Sequence, residues 1–334
     1  MAATKILLIS DLLRWYMSHG LIVTKIHQLI EYSPMKCFSQ FVSDVTEARR
    51  MGDADDSKSI YGAKMKLLGN SAFGSSIMDK EKHLKIRYVN DHYSASMLVN
   101  DPRFKKITEL ADDCYEVESF KRIIVHNVPT QIGYYILQYA KLKMLEFHYD
   151  CFSKIIPHSC FELMETDTDS LYYALSGKNM ENAIKEKHRE EYNGMVYGSC
   201  DDSHTPLWFP RKCCDSHAKH DKRTPGLFKI EYEGSEMVAL CSKTYIVHNS
   251  IDSSRKFSCK GISRRCLPEN LIDVYRKVLS SQIGEKGENM GFRSKDNHIF
   301  TYTQSRCGFT YFYCKRKVLA DGIHTVPLDI VLAP

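Results

Sequence analysis

The sequence lacks several features that would assign it to a special class of protein. Glycine and proline are scarce, with 17 and 10 residues among 334, which excludes a low-complexity or collagen-like chain. No apolar run approaches the ~18 residues of a membrane span. The stretch from Lys5 to Ser10 is apolar, but Asp11 and Arg14 follow it at once. The sequence therefore predicts a globular protein with no signal peptide and no membrane partner.

No charge of one sign dominates the chain. Lys and Arg total 46 against 41 Asp and Glu, a net charge of +5, whereas a dedicated nucleic-acid module is usually more basic. Any basic surface must therefore be local. The 12 cysteines include no C-x-x-C pair, which favours reduced thiols and predicts an intracellular protein.

Hydrophobic patterning predicts an α+β chain of about two lobes, with helices grouped in front of most of the strands. Helices are predicted over 11–19, 36–50, 57–73, 131–152 and 269–281, and Gly74 is expected to end the third of them. Strands are predicted over 21–30, in parts of 82–126, in two pairs over 160–175 and 227–248, and in short aromatic segments at the end. The second pair is expected to turn at Glu233-Gly234. The two strand pairs are expected to share one sheet that packs on the 131–152 helix. Residues 176–226 are expected to be irregular.

The sharpest motif is Thr166-Asp167-Thr168-Asp169-Ser170, which lies between apolar segments. Two carboxylates at a tight turn can converge on a hard cation such as Mg²⁺. A solvated turn in which Asp hydrogen-bonds to nearby backbone is the alternative.

A second motif runs from Lys66 to Gly74. On a helix, Lys66, Asn70 and Phe73 are spaced i, i+4 and i+7, so that an ammonium, an amide and a ring line one stripe. Such a stripe suits a nucleoside triphosphate. An amphipathic helix with a solvated lysine is the alternative.

A third motif, Lys243-Thr244-Tyr245, follows an apolar segment that is predicted to be a strand. A cation beside a phenol suits a nucleic-acid backbone. The alternative is an exposed strand end. The basic segment 255–260, which contains Lys256 and Lys260, is predicted to contact phosphates through its charge.

Together the three motifs resemble, in residues and in order, the C-terminal part of a family B DNA polymerase. Lys66 to Gly74 is similar to the K-x-x-x-N-S-x-Y-G motif of the fingers, with Phe73 in place of Tyr. Thr166 to Ser170 resembles the D-T-D-S motif of the palm, and Lys243 to Tyr245 resembles the K-x-Y motif. The stretch from His19 to His27 adds a similarity to the protein-primed branch of Maverick/Polinton elements and related viruses. The resemblance covers nearly the whole chain.

The resemblance implies a role for each matching residue. Asp169 would be the main metal ligand and Asp167 its acidic partner in a two-metal Mg²⁺ site. Lys66 would be a catalytic residue that meets the incoming triphosphate and protonates the leaving pyrophosphate. Asn70, Phe73, Arg49 and Arg50 would also bind the dNTP, and the face of Lys66, Asn70 and Phe73 is expected to turn toward the two aspartates across a cleft. Lys243 and Tyr245 would hold the primer end of a primer–template DNA, and a protein primer is a further partner of this branch. The cell nucleus or a viral replication site is the compartment that the resemblance implies.

The resemblance also implies a right-hand fold with an antiparallel palm. Its segments would be a palm edge at 1–34, helical-hairpin fingers at 35–75, the palm at 76–250 and a thumb-like region at 251–334. The family's D-x-x-S-L-Y-P motif does not occur before Lys66. The chain is therefore expected to be an incomplete polymerase without the exonuclease domain and the first palm aspartate.

Two alternative functions belong to other classes. A non-catalytic, domesticated remnant that binds nucleic acid is the first. The second is a D-x-D glycosyltransferase, against which the Lys66 and Lys243 motifs argue. A reverse transcriptase would show adjacent aspartates, whereas Asp167 and Asp169 are separated.

A cluster of cysteine and histidine residues lies between the second and third motifs. Its ligand types suit Zn²⁺, but the spacing matches no regular finger and adjacent cysteines are awkward for one tetrahedral site. The sequence leaves open whether it binds zinc. The cluster consists of Cys200, His204, Cys213, Cys214, His217 and His220.

Overall fold

The computed structural model describes residues 6–33, 35–198, 200, 206–259, 261–295, 298–311, 316–320 and 325–327. The chain divides into two compact units, one formed by Tyr32–Tyr139 and the other by Met1–Glu31 with Ala140–Pro334. The first unit joins residues 76–139 to the predicted fingers segment. The four segments of the polymerase-like division stay a prediction.

The described residues form a mixed α/β protein with small antiparallel sheets. The α-helices are α1 Ser10–Ser18, α2 Ser39–Ala54, α3 Ser59–Ser76, α4 His92–Val99, α5 Thr130–Glu146, α6 Ser153–Ile155, α7 Glu186–Tyr197, α8 Asp215–Asp221 and α9 Leu271–Ser281. A π-helical turn, Phe147–Phe152, joins α5 to α6. Among the described helices, none is long and apolar enough to cross a membrane.

The strands pair in five separate antiparallel groups in the described part of the chain. They are β1 Lys85–Val89, β2 Phe104–Ala111, β3 Cys114–Ser119, β4 Phe161–Asp167, β5 Ser170–Leu175, β6 Glu236–Cys241, β7 Thr244–His248, β8 Arg255–Ser258, β9 Glu285–Lys295, β10 His298–Phe309, β11 Arg316–Val318 and β12 Thr325–Pro327. The sheet orders are β1-β3-β2, β4-β5, β6-β7-β8, β10-β9 and β11-β12.

In the unit Tyr32–Tyr139, α2 and α3 pack as an antiparallel hairpin through small residues. A Cβ placed at Gly62 would lie 3.1 Å from the carbonyl oxygen of Ala48 and 3.5 Å from the Cα of Gly52. Nearer the other end of the hairpin, Gly69 faces Val45. These glycines let the two helix backbones approach closely, and the hairpin fixes the axis of the helix that carries Lys66.

The other unit contains two hydrophobic cores. The first core joins the π-helical turn after α5 to α7 and to the β4-β5 hairpin. Tyr173 of β5 stacks on Phe152 of that turn, with ring centroids 3.9 Å apart. The second packs α9, with Leu271, Tyr275 and Val278 fully buried, against the β6-β7-β8 sheet. Each hairpin thus has its own apolar support.

Helix α1 attaches to this unit through one carboxylate on the π-helical turn. Asp150 accepts a hydrogen bond from the indole of Trp15 at 2.7 Å and pairs with His19 at 2.8 Å. Trp15 and His19 stack with centroids 3.9 Å apart. The backbone hydrogen bond to Trp15 and the carboxylate of Asp150 raise the pKa of His19.

Several sequence predictions are wrong in detail. Residues 21–30 form no strand, because none of the described strands pairs with this stretch and its side chains remain exposed. The region 176–226 is not wholly irregular, since it contains α7 and α8. The two strand pairs belong to separate sheets rather than one.

The turn of the second strand pair was also misplaced. It was predicted at Glu233-Gly234, whereas β6 turns into β7 at Ser242-Lys243. Gly74 does not end α3, which continues to Ser76 and buries that side chain. The helices of 36–50, 57–73, 131–152 and 269–281 are confirmed with shifted ends.

Candidate active site

The two predicted aspartates lie on a tight β-hairpin. Asp167 ends β4 and pairs with Ser170 of β5, which leaves Thr168 and Asp169 as a two-residue loop. Thr168 has φ 54°, and the amide of Asp169 donates to the carbonyl of Asp167 at 2.6 Å. A β-branched residue in the left-handed region is strained, and such strain is typical of functional turns.

The K-x-Y motif lies on a second hairpin of the same length. Cys241 of β6 pairs with Thr244 of β7, so that Ser242 and Lys243 form the loop. Lys243 also has a positive φ, 63°. Its carbonyl accepts a hydrogen bond from Ser258 of β8 at 2.9 Å, which braces the loop from the neighbouring strand.

The two loops meet although 75 residues separate Lys243 from Thr168. The ammonium of Lys243 lies 2.5 Å from Oδ1 of Asp167, and it donates to the hydroxyl of Thr168 at 3.3 Å. The backbone amide of Lys243 donates to Oε1 of Glu165 at 3.1 Å. Motifs identified separately in the sequence therefore form one polar site.

Glu165 is a site residue that sequence reasoning missed. It precedes Asp167 by two positions on β4, and this spacing places both side chains on one face of the strand. Its side chain is only 9% exposed. Burial, assisted by repulsion from Asp167, raises the pKa of Glu165 against the lowering effect of the Lys243 amide. The only sequence signal for Glu165 was its position two residues before Asp167 on a predicted strand.

Asp169 differs from its two neighbours. It is exposed at the tip of the loop, and among the described residues its carboxylate makes no hydrogen bond or ion pair. Asp167 is half-buried and paired with Lys243. The hairpin thus presents the open carboxylate of Asp169 next to two engaged ones. Lys243 neutralises Asp167 through its ammonium and holds Glu165 through its backbone amide.

Buried Tyr245 and partly buried Tyr172 form a pair that joins β7 to β5. Their hydroxyls lie 2.5 Å apart, and Tyr245 is 5% exposed. Burial raises the pKa of both phenols. Tyr245 therefore ties the two hairpins together, and its direct contact with a primer stays a prediction.

Lys256 extends the site along β8. Its ammonium pairs with Glu231 at 2.9 Å and lies 5.6 Å from the ring centroid of Tyr172. Lys260, the other predicted phosphate contact in this segment, lies outside the described residues.

The predicted nucleotide-binding residues lie in the other unit, on the α2–α3 hairpin. Lys66 and Asn70 are exposed on α3, and Phe73 is half-buried. Arg49 and Arg50 are partly buried near the end of α2, where Arg50 pairs with Glu47 at 3.6 Å. The helical spacing of Lys66, Asn70 and Phe73 is confirmed. Their approach to the carboxylates stays a prediction.

The structure brings together four of the six Cys/His residues. The ligand atoms of Cys200, Cys213, Cys214 and His217 all lie within 4.8 Å of one another. Hydrogen bonding with Cys213, burial and hydrogen bonding with Cys214 raise the pKa of Cys200 to about 11. His220 pairs instead with Asp221, and His204 lies outside the described residues.

Comparison with known proteins found no matching family model, no matching curated protein and no matching solved structure.

The raised pKa of Glu165 leads to a stability prediction. The folded protein binds the proton of Glu165 more tightly than the unfolded chain does. At a pH above the raised pKa, the ionised carboxylate therefore lowers the free energy of unfolding. We expect Glu165→Gln to raise the urea midpoint at pH 7, because the amide oxygen can still accept from Lys243. The gain should vanish as the pH falls through the raised pKa, where wild-type Glu165 is protonated too.

Glu162→Gln, at an exposed position of the same strand, is the matched control and should leave the midpoint nearly unchanged. A Glu165→Gln protein that unfolds at clearly lower urea at pH 7 would show that the ionised carboxylate stabilises the hairpin.

Proposed function

We propose that the two hairpin loops form the metal-binding and primer-binding part of a template-directed DNA polymerase site of the family B type. The observation that carries this proposal is the contact between Lys243 and Asp167. The D-T-D and K-x-Y motifs were each weak alone, and a polymerase palm requires them at one place. Primer–template DNA and dNTP are the partners that this function needs, and a protein primer is a further one.

The donor set fits Mg²⁺, which prefers carboxylate oxygens. Asp169 and Asp167 would hold the ion, and Glu165 lies beside them. The ammonium of Lys243 now pairs with Asp167 and would have to leave that carboxylate before an ion binds there. When bound, Mg²⁺ would stabilise the attacking and leaving oxygens of phosphoryl transfer.

The remaining work of such a site is positioning. Lys243 would leave Asp167 to contact the phosphate at the primer end. The positive φ angles of Thr168 and Lys243 would keep the side chains of these two loop residues at the surface. Lys66 would neutralise the triphosphate, with Asn70 and Phe73 beside the base and sugar. In phosphoryl transfer, positioning and charge stabilisation supply most of the catalysis.

A second candidate function is nucleic-acid binding without catalysis, in a domesticated remnant of such a polymerase. Protein groups already engage Glu165 and Asp167, so that of these two and Asp169 only Asp169 is open. A two-metal site needs carboxylates on both sides of the ions, and Asp167 and Asp169 on the described hairpin supply them on one side.

Primer extension and binding by the 334-residue chain test both candidates. We expect labelled primer–template to bind with an affinity that falls steeply as salt rises. With Mg²⁺ and dNTP, extension is expected to be poor if Asp167 and Asp169 are the only carboxylates at the ions, because loss of one stabilising group typically costs ~10²–10³ in rate.

Asp169→Asn is the diagnostic variant, and Glu162→Gln on β4 is its control. Synthesis abolished by Asp169→Asn but not by Glu162→Gln establishes the polymerase and shows that the chain supplies its own second carboxylate. Binding without synthesis supports the remnant. Failure to bind DNA even at low salt contradicts both.

A further inference from the structure

The four clustered residues lie in the segment that links the two hairpins. Cys200, Cys213, Cys214 and His217 all fall between the end of β5 and the start of β6. Their ligand atoms lie within 4.8 Å of one another, and the thiols are free. Nothing in the polymerase-like site uses them.

The separations match a tetrahedral metal site. With Zn–S near 2.3 Å and Zn–N near 2.0–2.1 Å, a sulfur and a nitrogen ligand lie roughly 3.5 Å apart and two sulfurs roughly 3.8 Å apart. Nδ1 of His217 lies 3.2 Å from Sγ of Cys213 and 3.4 Å from Sγ of Cys214. Small side-chain movements would lengthen these two distances to the separation expected around a bound zinc ion.

Local backbone geometry explains how adjacent cysteines can serve one site. Cys214 is extended, with φ −155° and ψ 163°, and α8 begins at the next residue. The chain therefore turns sharply after Cys214. His217, on the first helical turn, comes within reach of both thiols, and its amide donates to the sulfur of Cys214 at 3.5 Å.

A buried ion pair holds this ligand loop in place. Asp221 accepts two hydrogen bonds from the guanidinium of Arg211, at 2.8 and 3.0 Å, and one from its backbone amide at 3.0 Å. The pair closes the ten-residue loop that contains three of the four ligands. The amide of Lys212 donates to the carbonyl of Val196 at 2.7 Å, which fixes the loop to α7.

We propose that Cys200, Cys213, Cys214 and His217 bind one Zn²⁺ as a structural Cys₃His site. Thiolate and imidazole ligands select zinc over Mg²⁺ or Ca²⁺. Four protein ligands close the coordination sphere, and closed zinc sites are structural rather than catalytic. The ion clamps Cys200 to the start of α8 and so stiffens the connection between the two hairpins.

Metal binding by the full chain tests the proposal. The reduced protein is stripped with a chelator, dialysed, and titrated with Co²⁺ and then with Zn²⁺. We expect one metal per chain, thiolate-to-cobalt charge-transfer bands with tetrahedral d–d absorption, and loss of both when zinc replaces cobalt. The zinc-loaded protein should unfold at a higher temperature than the stripped protein.

Cys213→Ser and His217→Asn are expected to weaken zinc binding at least ~100-fold, since even outer-shell losses cost 10–100-fold. Cys200→Ser changes an exposed side chain, so it tests the site without disturbing the core. Cys37→Ser, at an exposed cysteine in the other unit, is the matched control and should bind zinc normally.

Three outcomes would overturn the proposal. The first is a stripped, folded protein that takes up no stoichiometric metal. The second is zinc affinity that the cluster substitutions leave unchanged. The third is a disulfide among the three cysteines, found by mass spectrometry of protein isolated without reductant.

Discussion

We expect Asp221→Asn to lower the free energy of unfolding by about 3–5 kcal/mol, because it leaves the partner charge buried without its counter-ion. The side chains of Asp221 and Arg211 are 1% and 9% exposed. The carboxylate accepts both arms of the guanidinium and the Arg211 amide, so all three hydrogen bonds are affected. Urea unfolding at pH 7, with metal chelated, measures the loss.

The effect should depend on pH in a defined direction. Burial alone would raise the pKa of Asp221, but the hydrogen bonds from Arg211 outweigh it and hold the pKa at about 2. Since the unfolded value is about 3.9, the stabilisation is fully present above pH 4 and is lost as the pH falls towards 2. The difference between wild type and Asp221→Asn should shrink over the same interval.

Two further variants make this test specific. Asp215→Asn removes an exposed carboxylate from the same helix and should change stability little. The double variant Arg211→Met with Asp221→Leu removes both charges and should recover much of the loss, as apolar replacements of buried pairs often do. An Asp221→Asn protein as stable as wild type would mean that the pair is solvated in solution.

The ion pair itself could not be predicted from the sequence. Arg211 and Asp221 are ten residues apart in a region that shows no periodic pattern, and their burial arises only in the folded chain. Helix α7 was missed for a similar reason. Its buried residues, Tyr192 and Val196, form a single i, i+4 pair in an otherwise polar helix.

The sequence predicted one of the two polar turns at its correct position, but not the other turn or the contacts between them. The D-T-D turn was found because Asp and Thr between apolar strands are ordinary turn residues. The Lys243 loop was misplaced because glycine at 234 is the stronger turn signal. Lys243 and Thr168 instead adopt positive φ without glycine. The contacts of Lys243 with Thr168 and with Glu165 are long-range, so no local pattern could reveal them.

The Cys/His cluster was correctly noticed as a set of ligand types, but its geometry was not predictable. Spacing rules fail when adjacent cysteines are used, because the outcome depends on where the helix begins. Here α8 begins directly after Cys214. Helix α4, by contrast, begins at an ordinary N-cap signal that was overlooked, since Asp91 accepts from the amide of Ser94 at 2.7 Å.

The ion pair between Lys243 and Asp167 predicts opposite effects of two single substitutions on DNA binding. Lys243→Ala should weaken primer–template binding about tenfold, the value of one charge-assisted hydrogen bond of roughly 1.5 kcal/mol. It should also reduce the slope of log K against log salt by about 0.9. Asp167→Asn should strengthen binding in the absence of Mg²⁺, because it releases the ammonium and removes a charge that repels phosphate.

The double variant decides whether the two effects share one cause. If Asp167 restrains Lys243, then Asp167→Asn should give no gain once Lys243 is alanine, and the two free-energy changes should not add. Lys219→Ala, at an exposed lysine of α8, controls for the loss of one positive charge. Fluorescence anisotropy with a labelled primer–template at several salt concentrations provides the affinities. Equal weakening by Lys243→Ala and Lys219→Ala, or additive effects in the double variant, would mean that the two charges act independently and that the loop does not bind the primer.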